Sequence, residues 1–219
     1  MLPDIPPMGR GSGQNSPLAL SKRHPLLIAI ECANQRMKLL LMFASVLLAA
    51  SFAESVDAFT LKKTDGSFYR LQSSDVRATA IVFVSAVCPM SVQYSERLTK
   101  LASDFSNKSV RFLIVNSNIN ETDEEVETQR VAARMNLPIY REPTGTLAGK
   151  LGAVATPTAV VVDQGGVKQY IGMIDNSRDP SRVTKELLRT ALDAVLAGRP
   201  VETSRTRVIG CTIKAVERP

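Results

Sequence analysis

From Ala58 onward, apolar residues fall into short β-branched runs alternating with segments whose apolar positions recur at helical spacing. Phe59-Thr60-Leu61 and Phe68-Tyr69-Arg70-Leu71 flank Asp65-Gly66, which predicts a hairpin turning at that dipeptide. Thr79 to Ser85 has the composition of a buried central strand. Tyr94, Leu98, Leu101 and Phe105 then mark one helix face, and Val110 to Val115 is the next strand. Acids at a helix start complement its dipole, so Glu121-Thr122-Asp123-Glu124-Glu125 predicts the first turn of a helix running to about Met135. Val126, Val131 and Ala132 are its expected inward residues. Leu137 to Tyr140 reads as a short strand and Gly145 to Leu151 as a short helix. Ala159 to Asp163 and Val167 to Ile171 bracket Gln164-Gly165-Gly166 as a second hairpin. Ser181 to Leu196 is expected as a helix with Val183, Leu187, Leu188, Leu192 and Val195 on one face, and the segment after Gly198 as an irregular tail. The order implies a right-handed βαβ unit joined to an antiparallel ββα unit, an α/β domain with a central mixed sheet flanked by helices.

Within this pattern the run Ile81-Val82-Phe83-Val84-Ser85-Ala86-Val87 ends in Cys88, followed directly by Pro89. Proline suits the first turn of a helix because its missing N–H would be unpaired there anyway, so Cys88 is expected at a strand-to-helix junction. Unpaired N–H groups at such a point favour thiolate over thiol, and comparable sites lower a cysteine pKa from about 8.5 to roughly 3.5–7.5. Cys88 is therefore the candidate nucleophile.

Composition narrows the chemistry. The chain has 219 residues, 44% of them apolar and 22% charged, a normal globular mixture. Its net charge of +6 is dispersed and interleaved with acids, which does not form a phosphate footprint, so no nucleic-acid partner is expected. Half of that charge lies in residues 1–53, where Arg10, Lys22, Arg23, Arg36 and Lys38 outnumber Asp4 and Glu31.

That segment has its own logic. Met37-Lys38 opens a twelve-residue apolar body, Leu39 to Ala50, of signal-peptide length and short for a membrane span. Ser51-Phe52-Ala53 supplies small residues for cleavage before Glu54. Residues 1–36 are then a non-native or disordered leader, 37–53 a signal peptide, 54–200 the folded domain and 201–219 a C-terminal tail. The expected location is periplasmic or secreted, with membrane contact only during export. Cleavage removes Cys32 and the lone histidine, His24, and leaves Cys88 and Cys211. Zinc ligation and a Cys-His dyad are disfavoured, while an oxidising compartment makes thiol-disulfide chemistry plausible. No metal and no cofactor is expected.

The sequence resembles the thioredoxin-like superfamily, and within it the redoxin or alkyl hydroperoxide reductase/thiol-specific antioxidant (AhpC/TSA) group. Phe83 to Ser91 is similar to the active-site entry of periplasmic thioredoxin relatives, and Ala155-Thr156-Pro157-Thr158 before a Val-rich strand is similar to their conserved loop. The resemblance spans roughly Ala58 to Ala197, with Glu142-Pro143-Thr144-Gly145 and Leu151-Gly152-Ala153 as further landmarks. Gly210-Cys211-Thr212-Ile213-Lys214 is similar to tails of some bacterial redoxin-domain proteins. It implies a thioredoxin-like fold, a cis bond before Pro157, and a groove shaped by Thr156 and Pro157 against Cys88.

Departures from the family pattern bear on the reaction. Ser91 stands where thioredoxins carry their second cysteine, Val87 where they carry tryptophan, and Val82 where many hold a buried carboxylate. Ile81 and Ser85 stand where peroxiredoxins place a proline and a threonine. Ser91 cannot resolve a mixed disulfide, although its hydroxyl could donate to a Cys88 thiolate. Three functions follow. The first is an exported thiol-disulfide oxidoreductase with a single active-site cysteine, Cys88, at a helix start set by Pro89. The second is a thiol-dependent peroxidase with Ser85 beside the peroxide, and the third a non-enzymatic thioredoxin-fold binding module. Partners are protein thiols or disulfides, or peroxide. Cys211 is either the resolving thiol or a separate one, since pairing needs Cα atoms within about 7 Å.

Overall fold

The computed structural model describes residues 58–72 and 75–215. The leader and signal segment expected at residues 1–53 lie outside them. Strands β1 (Ala58–Lys63), β2 (Phe68–Gln72), β3 (Ala78–Phe83), β4 (Val110–Asn116), β5 (Ile139–Arg141), β7 (Thr158–Asp163) and β8 (Lys168–Gly172) form one sheet in the order β2-β1-β5-β4-β3-β7-β8. Pairing is parallel between β3 and β4 and between β4 and β5, and antiparallel elsewhere. A second small sheet joins β6 (Ala155–Thr156) to β9 (Cys211–Thr212).

Every residue of β3 is buried, which explains why its sequence is apolar without alternation: both faces of the sheet are covered. On one face Ala78, Ala80 and Val82 pack with Ile114, Val161, Leu98, Phe105, Leu188 and Leu192. On the other, Ile81 and Phe83 pack with Leu113, Val115, Val160, Leu147, Leu151 and Ile213. Helices α2 (Ser95–Asp104) and α5 (Leu187–Leu196) cover the first face and α4 (Thr146–Leu151) the second.

Both expected hairpins are present. Gly66 has φ +87° and Gly166 φ +78°, the left-handed turn conformation glycine adopts at low cost. In the first turn Lys63 N–H donates to Ser67 O at 2.8 Å, and Ser67 N–H donates to the Asp65 carboxylate at 2.8 Å.

Three expectations about helices are corrected. The helix after Cys88 is divided into α1 (Pro89–Gln93) and α2, with Tyr94 between them at φ −90° and ψ −5°. Its buried hydroxyl donates to Asp175 at 3.0 Å. The acidic helix, α3, spans Asp123–Ala132 and leaves Val131 and Ala132 exposed, so Val126 alone of the three faces the core. The last helix begins at Leu187 rather than Ser181, after a single 3-10 turn at Pro180–Arg182. Asn176 explains the delay: its side-chain carbonyl accepts from Thr184 N–H at 3.0 Å and Lys185 N–H at 2.9 Å, holding that backbone outside the helix.

The tail does not hang free. Thr206 N–H donates to Ile171 O at 3.1 Å and Ile171 N–H to Ser204 O at 3.0 Å, after which the tail pairs with β6 on one side and bonds to Asn118 and Ile119 on the other. Ile213 is buried in the second core cluster.

Candidate functional site

β3 delivers the chain to Ser85, and the loop Ser85–Val87 carries it to Cys88, which caps α1 with Pro89 in the first turn. Cys88 has 0% exposure. Its N–H donates to Ser85 O at 3.4 Å, and its own carbonyl accepts from Val92 N–H at 3.2 Å. On the far side lies the Thr156–Pro157 loop, whose peptide bond is cis. The Cys88 thiol donates to Thr156 O at 3.4 Å.

The tail completes this enclosure. Cys211 pairs in register with Thr156, and Thr156 Oγ1 donates to Cys211 O at 3.4 Å. Ile213 N–H donates to Val154 O at 3.0 Å on one side of the strand. On the other, Ile119 N–H donates to Lys214 O at 2.7 Å, and Lys214 N–H donates to Asn118 Oδ1 at 2.9 Å. The segment from Cys211 to Lys214 thus bridges the Thr156–Pro157 loop beside Cys88 and the Asn118–Ile119 segment that follows β4. Two glycines permit the approach: a Cβ on Gly210 would collide with Thr156 O, and one on Gly145 with the Ala215 side chain.

The two thiols meet at the centre. Burial pushes the Cys88 pKa up, but the Cys211 thiol, Ser91 N–H, the Thr156 side chain and Cys211 N–H around its sulfur favour the thiolate and bring it down to about 7. The Cys211 thiol is pushed up to about 11, chiefly because it donates to Cys88, with burial and the negative charges of Cys88 and Glu121 adding to the effect. Between these two values Cys88 is the thiolate of the pair and Cys211 the thiol. Both are free cysteines, Cys88 buried and Cys211 exposed.

The other expected residues are placed as follows. Ser91 meets Cys88 through its backbone N–H, and its hydroxyl accepts from Ser85 N–H at 3.2 Å. The Ser85 hydroxyl donates to Glu121 at 2.6 Å. Pro89 is exposed, and Pro157 lines an open cleft with Met90, Tyr94, Met173 and Ile209. Among the described residues no group of three or more His, Cys, Asp or Glu side chains is placed to hold a metal ion.

Glu121 is the residue that sequence reasoning missed. It precedes α3 and is buried, and its carboxylate accepts from Ser85 Oγ at 2.6 Å, Ala86 N–H at 2.7 Å and Asn116 Nδ2 at 2.7 Å. Arg141, also buried, fixes this loop by donating to the carbonyls of Glu121 and Asn118 and to Asp123. A signal was available: Thr122 and Glu125 form a capping box, which sets the helix start after Glu121 and leaves that acid outside the helix.

The chain matches the model of the AhpC/TSA family over residues 53–171. A hypothetical protein from Sinorhizobium meliloti 1021 is 30% identical, with a TM-score of 0.67 over 77% of this chain and 96% of its own. An uncharacterized conserved protein from Geobacillus kaustophilus is likewise 30% identical, with a TM-score of 0.67 over 77% of this chain and 94% of its own. The exposed lipoprotein thioredoxin of Streptococcus pneumoniae strain TIGR4 shares the fold at 19% identity, with a TM-score of 0.52 over 62% of this chain and 98% of its own. A search of curated proteins returns no match.

Proposed function

The chain belongs to the AhpC/TSA family of thioredoxin-fold redoxins, and on that premise we propose that it is a thiol-disulfide oxidoreductase whose Cys88 and Cys211 cycle between a dithiol and an intramolecular disulfide. One arrangement carries this reading: Cys211 pairs in register with Thr156, whose backbone oxygen accepts from the Cys88 thiol, so both cysteines lie against the same residue. It differs from the single-cysteine expectation by giving Cys88 a partner from the tail, in the role that Ser91 cannot fill. Starting from the Cys88 thiolate and the Cys211 thiol, closing the bond removes two electrons and releases the Cys211 proton, and opening it reverses both. Protein thiols or disulfides are the exchange partners.

The disulfide reading is favoured over a peroxidase by the state of Ser85. Its hydroxyl is committed to Glu121 and is not directed at the Cys88 sulfur, where it would assist a peroxide. Export before Glu54 is part of the same proposal, supported by the apolar body Leu39 to Ala50 and the small residues Ser51 and Ala53. Amino-terminal sequencing of the exported protein should begin at Glu54.

Mass mapping of both cysteines tests the reading. Mild oxidation of the reduced protein should give a direct Cys88–Cys211 bond. Two unchanged thiols, or a sulfenic acid accumulating on Cys88 after peroxide, would overturn it.

A further inference from the structure

Exchange at a disulfide proceeds in line: the incoming sulfur approaches along the S–S axis from the side opposite the sulfur that leaves. The two ends of a Cys88–Cys211 bond are therefore judged by what lies behind each sulfur. Behind Cys88 lie β3, the start of α1 and the Thr156–Pro157 loop, and the residue has 0% exposure. Cys211 and the following Thr212, by contrast, are exposed to solvent, which leaves the Cys211 end of the bond open to an incoming sulfur. Nor does the edge of β6 offer another way in, because β9 already pairs with it at Ala155–Thr212 and Thr156–Cys211.

We propose that in the oxidised protein a substrate thiolate attacks Cys211, so that Cys211 carries the mixed disulfide, Cys88 is the leaving group, and the protein donates its disulfide to dithiol substrates. This rests on the oxidoreductase reading above and assigns its two cysteines unequal roles. The first step forms a bond between the substrate sulfur and Cys211 Sγ and breaks the Cys88–Cys211 bond, and the electron pair stays on Cys88 as thiolate. In the second, the other substrate thiol, deprotonated, attacks the substrate sulfur of the mixed disulfide. Cys211 leaves and takes up a proton. The substrate has lost two electrons and two protons; the protein has gained both electrons and one of the protons, and the other goes to solvent. The protein's own disulfide is the oxidant, so one equivalent of dithiol is consumed per chain with nothing added.

The surroundings of Cys88 favour this direction. Ser91 N–H, the Thr156 side chain and the tail, which together favour its thiolate, make it the better leaving group. They also stabilise the dithiol form, and a stabilised reduced form makes a disulfide more oxidising.

The experiment uses the purified protein, oxidised beforehand to the Cys88–Cys211 form, and reduced glutathione as a monothiol probe that cannot complete the second step. Samples are quenched in acid at early times and the glutathione adduct is mapped by mass. The adduct should lie on Cys211 with an excess on the order of tenfold or more over Cys88. Equal or greater labelling of Cys88 at the earliest time overturns the inference and leaves the oxidoreductase reading standing. If oxidation forms no Cys88–Cys211 bond, both fall together. A peptide with two cysteines should then be oxidised with a stoichiometry of one per chain, and failure to oxidise it overturns the proposed direction of transfer.

Discussion

Thr156 and Cys211 face each other across the two-residue pairing of β6 and β9, with the Thr156 hydroxyl donating to the Cys211 carbonyl at 3.4 Å. Thr156 also accepts a hydrogen bond from the Cys88 thiol on its backbone oxygen, so one residue touches both cysteines. The register of this short ladder, rather than any proximity in sequence, brings the two thiols together.

Removing one thiol should therefore retune the other. Cys211→Ala leaves Cys88 buried but deprives it of the thiol hydrogen bond, so its pKa should rise above about 7. Cys88→Ala removes both a bond and a charge from Cys211, whose pKa should fall from about 11 toward its ordinary value of 9.0. Ultraviolet thiolate absorbance across a pH titration reads both shifts. No change in either variant would dissolve the pair.

The same values fix how the stability of the reduced protein depends on pH. Cys88 has a folded pKa of about 7 against 9.0, so its contribution is present in full above pH 9 and is lost as pH falls through 7. For Cys211 the sign is opposite: with a folded pKa of about 11 against 9.0, its contribution is present below pH 9 and lost as pH rises through 11. The pair's combined contribution should climb from pH 7, peak near 9 and decline toward 11. Urea unfolding of the reduced protein at several pH values, set against Cys88→Ala, isolates that component. A flat difference between the two proteins would contradict it.

Gly210 offers a way to separate the thiols without touching either. A Cβ at this position would run into the Thr156 backbone oxygen, which is not a flexible side-chain end that can move aside. Gly210→Ala should lift the tail from β6, and formation of the Cys88–Cys211 disulfide should slow by on the order of tenfold or more as the thiols lose their alignment. Mass mapping over a time course of oxidation measures the rate. An unchanged rate would show that β9 does not position Cys211.

Residues carry legible information where their neighbours in sequence are also their neighbours in space. The fully apolar β3, the glycine turns of both hairpins and the Cys88-Pro89 junction all belong to this kind, and each is where the sequence places it. The docking of the tail is not local. β9 is two residues long and leaves no periodic trace, and its fit depends on Gly210 and Gly145 leaving room for Thr156 and Ala215, which only the fold brings near. Glu121 was obscured for a related reason. It stands next to acids that do form a helix start, and only its partners Ser85, Ala86 and Asn116 separate it from them.

Those partners make Glu121 the most consequential acid to replace. Ser85 Oγ, Ala86 N–H and Asn116 Nδ2 all donate to its buried carboxylate, and together they hold the loop that leads to Cys88. Hydrogen bonds to charged groups contribute about 1.5–3 kcal/mol each, and a buried donor left unpaired costs about 1–3 kcal/mol. Glu121→Ala should thus destabilise the protein by about 3 kcal/mol or more, measured by chemical denaturation. Glu121→Gln keeps the shape but turns one acceptor into a donor facing donors, and should be intermediate in stability. Both substitutions remove a negative charge that holds the Cys211 proton in place, so the Cys211 pKa should drop below about 11 in each. A Glu121→Gln protein with unaltered stability and an unaltered Cys211 titration would mean that this carboxylate neither supports the Cys88 loop nor acts on the thiol pair.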